Sequence, residues 1–569
     1  MTDPTDDSAN SDGPVFTRDV PFRQRTIGDR CYDALSRHGL LLLLLFLALI
    51  FARSIMASHH KTLWYDEIFT VLVATQPTWH KFVQAMPADG NPPLYALLTR
   101  LSIHLFGLTD LAVRLPSMVA FLAALAGVYV FVRRECGVVF GLLAVLLTYS
   151  EPGWAYSIEA RPYALLLAFM MLALVSWQSA TRAVEATPRR PRRLALAGMV
   201  IGIVGSILSH NIGIIEVGVP LLFGEAVRLY HTRRPDWPIL ATALAAIPTL
   251  AVTWPMMHRT HDLLLIYSQA AMSPLTLAKL HAYWISNPLF LISWPGVVSS
   301  DLIMILAIAV FANWVLHWLK GSQVAHLPHA QEGTANTVPS YIVASALGAS
   351  LLIPVTMLAL MFSSGYYICR YGIGCIAGIA MLACFLLARR GQKQIKLCMS
   401  VILLVLLVHG YAHIKAKKVL YPTTKVDTID PVLLSDTSGL PVVISNPLAF
   451  LPTWWHAPAS MKSKFVYLAD TPTALQYGYV VPEVALMAEK PFLSAPLEDY
   501  SAFLSTHDHF RIYLDSAAIW PEPFPAQTTP PDPTRVLKER LENAGYRATL
   551  LHSDEWNSYY DMQRANLGR

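Results

Sequence analysis

Apolar runs near the length needed to cross a bilayer recur through the first 415 residues of this 569-residue chain, beginning with the leucine-rich stretch Leu40 to Phe51. A spanning helix needs about 20 predominantly apolar residues. Only 14% of the residues are charged and 54% are hydrophobic, against about 25% charged in soluble proteins. These features predict a polytopic α-helical membrane protein of about eleven spans, at 38–56, 111–132, 137–154, 162–181, 194–210, 212–230, 237–256, 301–319, 340–362, 371–388 and 397–413. The segment 94–106 is short and carries Arg100 and His104, so it reads as a helix lying in the interface. The polar stretch Met1 to Gly13 reads as disordered. No small-residue cleavage site clearly follows the first apolar run, which reads as a retained anchor.

Basic residues fall in alternate loops. Arg23, Arg25, Arg30 and Arg37 precede the first span; Arg133-Arg134, the run 189–193, Arg233-Arg234, Lys320 and the run 389–396 follow later ones. Under the positive-inside rule these loops are cytoplasmic, so 57–110, 257–300 and everything after about 414 lie on the outer side. The net charge of +5 is accounted for by these topology signals, and nothing points to a nucleic-acid partner. All six cysteines lie in or beside spans, so no disulfide framework is expected in the tail.

Three parts follow: a cytoplasmic N-terminal tail 1–37, a membrane domain 38–413 with an outer loop 57–110, and an outer domain 414–569. In the last, 441–445 and 510–514 read as buried strands, 535–545 as an amphipathic helix stopped by Gly545, and 546–551 as a further strand. That alternation predicts a small α/β domain. There is no glycine-rich nucleotide loop.

The chemistry-bearing residues cluster at the outer ends of spans. Asp66-Glu67 follow the first span; then come Asp89-Gly90-Asn91-Pro92-Pro93-Leu94-Tyr95, Arg114-Leu115-Pro116-Ser117, Tyr156 through Tyr163 (YSIEARPY), Ser209-His210-Asn211 and Cys369-Arg370-Tyr371. A carboxylate at the lipid–water boundary can accept the proton of a water-borne hydroxyl as it attacks. A guanidinium there can grip a lipid phosphate in bidentate fashion. Asp66 and Glu67 are thus catalytic candidates, and capping of the following helix is the competing reading. Arg161 and Arg370, with Tyr163 and Tyr371, are candidates for the donor phosphate, with snorkelling as the alternative for both arginines. Asp89, Asn91, Glu159 and His210 are candidates for positioning donor or acceptor. His59-His60 are weak metal candidates, and Trp454-Trp455 either stack a sugar or pack in a core.

In this order the motifs resemble the GT-C superfamily of membrane glycosyltransferases, in particular the bacterial branch similar to protein O-mannosyltransferases and lipid A aminoarabinose transferases. The resemblance covers about 38–390. It implies a polyprenyl-phosphate-linked sugar as donor and transfer with inversion at the outer face of a bacterial inner membrane. A glycolipid, glycan or protein would be the acceptor, and Asp66 the catalytic aspartate. Some relatives place a metal-ligating or charged residue beside the proline where this chain has Asn91. An amide oxygen is a weak ligand, so no cofactor is assigned and a divalent metal is in doubt. A transporter or flippase for a lipid-linked glycan is the alternative. Against it, the charges cluster at the outer boundary and not at the midplane, where transporter sites lie.

Overall fold

The leucines that open the first apolar run are exposed: Leu40, Leu41, Leu44, Leu45 and Leu49 stand on the outside of helix α1 (Ile27–His60). An apolar surface of that extent on a helix this long suits lipid and not water. The computed structural model describes residues 27–149, 154–182, 190–267, 338–363, 369–388, 429–477, 480–515, 533–554 and 557–565. The expected spans 301–319 and 397–413, most of the loop 257–300 and the stretch 1–13 lie outside the described residues.

After α1 come three short helices, α2 (Tyr65–Ala74), α3 (Trp79–Asp89) and α4 (Leu94–Phe106). The membrane bundle continues with α5 (Asp110–Cys136), α6 (Val138–Thr148), α7 (Tyr163–Arg182), α8 (Arg190–Ser209), α9 (Gly213–Thr232), α10 (Trp237–Thr242) and α11 (Ala246–Tyr267). It resumes with α12 (Ser340–Ser350), α13 (Leu352–Ser363) and α14 (Gly374–Ala388). Among the described residues five helices are long and apolar enough to cross a membrane, or six if α12 and α13, bent by 52°, form one broken span. Two expected spans are shorter helices. Among the described residues, the segment expected at 137–154 contains the 11-residue helix α6, which ends at Thr148. The one expected at 371–388 begins at Gly374, because Cys369–Gly372 form a separate 3₁₀ turn. The span expected at 212–230 is the full-length helix α9, which carries Glu216, Glu225 and Arg228.

Small residues bring helices together where lipid offers no hydrophobic drive. Gly198 and Gly202 of α8 lie against α7, where a Cβ would come within 2.3 Å of the Ser176 hydroxyl and 2.6 Å of the Ala173 backbone nitrogen. Among the described residues, basic side chains of two of the basic loops gather in ion pairs at one end of the bundle. Arg182 pairs with Glu135 at 2.7 Å, and Arg192 and Arg228 both meet Asp236.

The C-terminal region is a mixed six-stranded sheet in the order β3-β2-β1-β4-β6-β5. Strands β1 (Val442–Ile444), β2 (Phe465–Ala469), β3 (Leu497–Asp499) and β4 (His509–Asp515) are parallel; β6 (Asn557–Arg564) pairs antiparallel with both β4 and β5 (Tyr546–Ser553). The helices interleaved with them are α15 (Pro431–Leu434), α16 (Pro447–His456), α17 (Thr471–Tyr477), α18 (Val480–Glu489), α19 (Tyr500–Thr506) and α20 (Pro533–Asn543). β1 and β2 are buried at every position, as strands covered on both faces must be. Gly545, at φ +90°, turns the chain from α20 into β5. Trp454 is buried in α16, which packs on α2; the imidazole of His456 contacts the Leu63 carbonyl at 2.9 Å. The sheet domain is thereby seated on the short helices that follow α1, at the opposite end of the bundle from the basic loops.

Candidate active site

Asp66 and Glu67 are sequence neighbours on the first turn of α2, and the helix sends their side chains to different places. Glu67 is fully buried. Arg114 grips it in bidentate fashion, with Nε donating to Oε1 and Nη2 to Oε2, both at 2.7 Å. The Ala160 amide donates to Oε1 at 2.7 Å, and the Trp64 amide to Oε2 at 3.3 Å. Arg114 spends its remaining donors on the carbonyls of Ser58, Lys61 and Thr62. Burial alone raises the Glu67 carboxyl, but the Arg114 guanidinium and its hydrogen bonds, aided by Lys61, outweigh that and hold it below the usual range. A carboxylate this enclosed and saturated has no surface for a substrate. In place of the catalytic role expected for Glu67, this geometry fits a structural one that includes capping its own helix.

Asp66 keeps 17% of its side chain accessible and meets two guanidiniums from distant parts of the chain. Arg370 Nη2 donates to Asp66 Oδ2 at 3.1 Å. Arg161 Nε lies 3.8 Å from the same oxygen, while Arg161 Nη1 donates to the Asp66 carbonyl at 3.2 Å and to Asp89 Oδ1 at 3.0 Å. The Nε atoms of both arginines are buried without a hydrogen-bond partner among the described residues. Asp66 and Asp89 raise Arg161 above its ordinary range, against the downward effect of burial. Asp89 itself is pushed up to about 6 by burial, with Arg161 opposing the shift and Asp66 adding to it.

The remaining candidates surround this cluster. Rings of Tyr156, Tyr163, His210 and Tyr371 follow one another at centroid distances of 5.1, 5.4 and 5.3 Å, and Arg370 lies 5.5 Å over Tyr163. Burial first, then the charges of Arg161 and Arg370, push His210 down to about 3, so its imidazole is neutral. Asn211 donates to the Gly90 carbonyl at 2.8 Å, tying this loop to the one that carries Asp89. Asn91 is buried and donates to the Asp89 carbonyl at 3.2 Å. Glu159 stands 3.6 Å from Lys61 and is not paired with Arg161; burial raises its carboxyl, with Lys61 opposing.

Three residues outside the sequence-level candidates matter here. Arg114 is the first; it belongs to a motif whose chemistry the sequence left unassigned. Ser117, one turn further along α5, is the second. It meets the Tyr95 hydroxyl at 2.7 Å and donates to the Arg161 carbonyl at 3.0 Å, so three of the sequence motifs join at one hydroxyl. Glu489, at the end of α18, is the third. It is fully buried where the sheet domain packs against α3 and α11, and neither of its oxygens has a hydrogen-bond partner among the described residues. Burial, and then the negative charge of Asp89, raise its carboxyl well above the ordinary range. Nothing local in the sequence around Glu489 marks it. Among the described residues no three His, Cys, Asp or Glu side chains are grouped to hold a metal ion; His59 and His60 stand at the end of α1.

Part of this arrangement, from Asn91 to His210, falls within a family model that matches the chain. Residues 90–254 match the family model described as dolichyl-phosphate-mannose-protein mannosyltransferase. No curated protein matches the chain. Two solved structures of ArnT from Cupriavidus metallidurans are similar to it at 14% identity, each covering 92% of this chain and 97% of its own. The one bound to undecaprenyl phosphate superposes with a TM-score of 0.42 and the apo form with 0.43. The chain is thus a multi-pass membrane protein similar to the GT-C glycosyltransferases of the protein-mannosyltransferase type.

Proposed function

We propose that this protein is an inverting glycosyltransferase that moves a sugar from a polyprenyl-phosphate donor to an envelope glycolipid, glycan or protein at the outer face of a bacterial inner membrane. One observation carries the reading: Asp66, a partly accessible carboxylate, sits between Arg161 and Arg370 at 3.8 and 3.1 Å. Inversion needs a base for the attacking hydroxyl and cations for the departing phosphate that can both reach one anomeric carbon, from opposite sides once the sugar lies between them.

The acceptor hydroxyl gives its proton to Asp66 as its oxygen bonds to the anomeric carbon, and the bond from that carbon to the phosphate oxygen breaks. The electron pair leaves on the phosphate, where Arg161 and Arg370 stabilise the developing charge. In the resting site both arginines are occupied by carboxylates. Donor phosphate competes for them, and as it draws them away Asp66 is released to accept a proton. Neutral His210 and the tyrosines beside Arg370 offer hydrogen bonds and ring faces to the sugar without adding charge. The dolichyl-phosphate donor in the description of the matched mannosyltransferase family supports a polyprenyl carrier for this chain as well.

The test is a comparison of envelope glycolipids and glycoproteins by mass spectrometry in cells with the wild-type protein, without it, and with Asp66→Asn. A sugar-sized mass present only with the wild type identifies both the transferred group and the acceptor. Identical profiles in all three strains contradict the reading. Sidedness is tested separately. Ser505→Cys, in the sheet domain, should react with an impermeant thiol reagent in intact cells, and labelling only after lysis overturns the outer placement.

A further inference from the structure

Glu216 is a fully buried carboxylate on the first turn of α9, six residues beyond His210, and nothing in the proposed chemistry uses it. Its Oε2 accepts a hydrogen bond from the Gly374 amide at 3.0 Å. Gly374 is the first residue of α14, and the chain immediately before it is the 3₁₀ turn Cys369–Gly372 that carries Arg370 and Tyr371. The first amides of a helix have no partner within the helix, and in an apolar bundle an unpaired amide is costly. The carboxylate supplies the partner, across from another helix. The fit leaves no slack, since a Cβ on Gly374 would lie 2.4 Å from Glu216 Oε2, 2.6 Å from Leu352 Cδ1 and 2.6 Å from Met170 Sδ. Two residues before it, Gly372 leaves similarly little room: a Cβ there would lie 2.7 Å from Ile353 Cγ1 and 3.0 Å from the Ile353 backbone.

A buried acid in a bundle is retained where it holds something in place or handles charge. The other end of this connection is the Arg370 guanidinium on Asp66 at 3.1 Å and the Tyr371 ring on His210 at 5.3 Å. We propose that Glu216 is a positioning residue for transfer: by holding the Gly374 amide it fixes the end of the 3₁₀ turn and so sets where Arg370 meets Asp66 and the donor phosphate. The inference rests on the glycosyltransferase reading for its consequence, while the positional claim stands by itself.

Two measurements on the purified full chain separate the claims. Amide hydrogen exchange across 369–374 needs no ligand. It should rise about tenfold or more in Glu216→Leu, and return to near the wild-type rate in Glu216→Gln, whose side-chain carbonyl can still accept from Gly374, since a lost hydrogen bond of about 1.4 kcal/mol is tenfold. Unchanged exchange in Glu216→Leu overturns the positional claim; if that variant does not fold, Glu216→Asp, one methylene too short to reach, is read in the same way. The second measurement is binding of a short-chain polyprenyl phosphate. Glu216→Leu should bind it about tenfold more weakly than wild type, and Glu216→Gln within about threefold. Adding Glu216→Leu to Arg370→Ala should cost little further, because the two act through one contact. Full additivity, or wild-type binding by Glu216→Leu, contradicts action through Arg370. If the wild type itself fails to bind the phosphate, the glycosyltransferase reading fails while the exchange result still decides the positional claim.

Discussion

Two ion-pair clusters begin one residue apart and differ in every property that decides function. Around Glu67 and Arg114 both charged groups are fully buried, each carboxylate oxygen accepts two hydrogen bonds, and every direction from the guanidinium meets an acceptor. Around Asp66, Arg161 and Arg370 the groups are part-accessible, the pairs are longer, and two guanidinium Nε atoms are left over. The first cluster has no vacant hydrogen-bonding position, as suits a group that fastens four chain segments. The second has spare donors and longer charge pairs, as suits a group waiting for an anion. Saturation, more than the presence of charge, separates a structural ion pair from a candidate reactive one.

The largest effect is expected at Glu67. Glu67→Ala leaves Arg114 buried without its counter-ion, which costs about 3–5 kcal/mol when a buried pair loses one partner. The expected outcome is a large loss of folded protein, read as thermal stability in detergent. A Glu67→Ala protein as stable as wild type would show that the pair is not a fastening.

Asp89 gives the next effect. Its carboxyl is raised from 3.8 to about 6 in the folded protein, so between those values the folded state holds the proton more tightly than the unfolded one. Stability is therefore highest below about pH 4 with respect to this group and falls as pH rises to about 6, by on the order of 3 kcal/mol. Asp89→Asn should remove that slope. Parallel pH–stability curves for the two proteins would contradict the burial of a carboxylate there.

Arg161→Lys sharpens the comparison from the other side. Lysine keeps the charge and loses the planar fork. Binding of a polyprenyl phosphate should weaken about tenfold, the worth of one charge-assisted hydrogen bond, with little change in thermal stability. Arg114→Lys should do the reverse, lowering stability and sparing binding per folded molecule.

How far the sequence reaches depends on whether the information is local. Period and length suffice for the helices at 38–60, 110–136 and 163–182 and for the strands at 442–444 and 509–515, because burial of a run is written in the run. The gathering of Asp66, Asp89, Arg161, His210 and Arg370 was legible because each stands at the end of an apolar segment on the same expected side. The split between Asp66 and Glu67 was not. It depends on Arg114, to which the sequence alone assigns no role, and on a helix that begins at Tyr65, so that both acids lie in its first turn. Glu489 was equally hidden, since its surroundings come from α3 and α11, hundreds of residues away. The start of α14 was not local either: a 3₁₀ turn that carries Arg370 to Asp66 precedes it.

The central claim is that Asp66 is the proton acceptor and Glu67 is not. Single-turnover transfer from a polyprenyl-phosphate sugar, measured with purified Asp66→Asn, tests it most directly. The amide keeps the shape and an oxygen facing Arg370, but it cannot accept the acceptor's proton. General-base assistance is worth about 10²–10⁴-fold. A rate at least about a hundredfold below wild type is expected, with thermal stability and polyprenyl phosphate binding retained; transfer by Asp66→Asn near the wild-type rate would show that Asp66 is not the base.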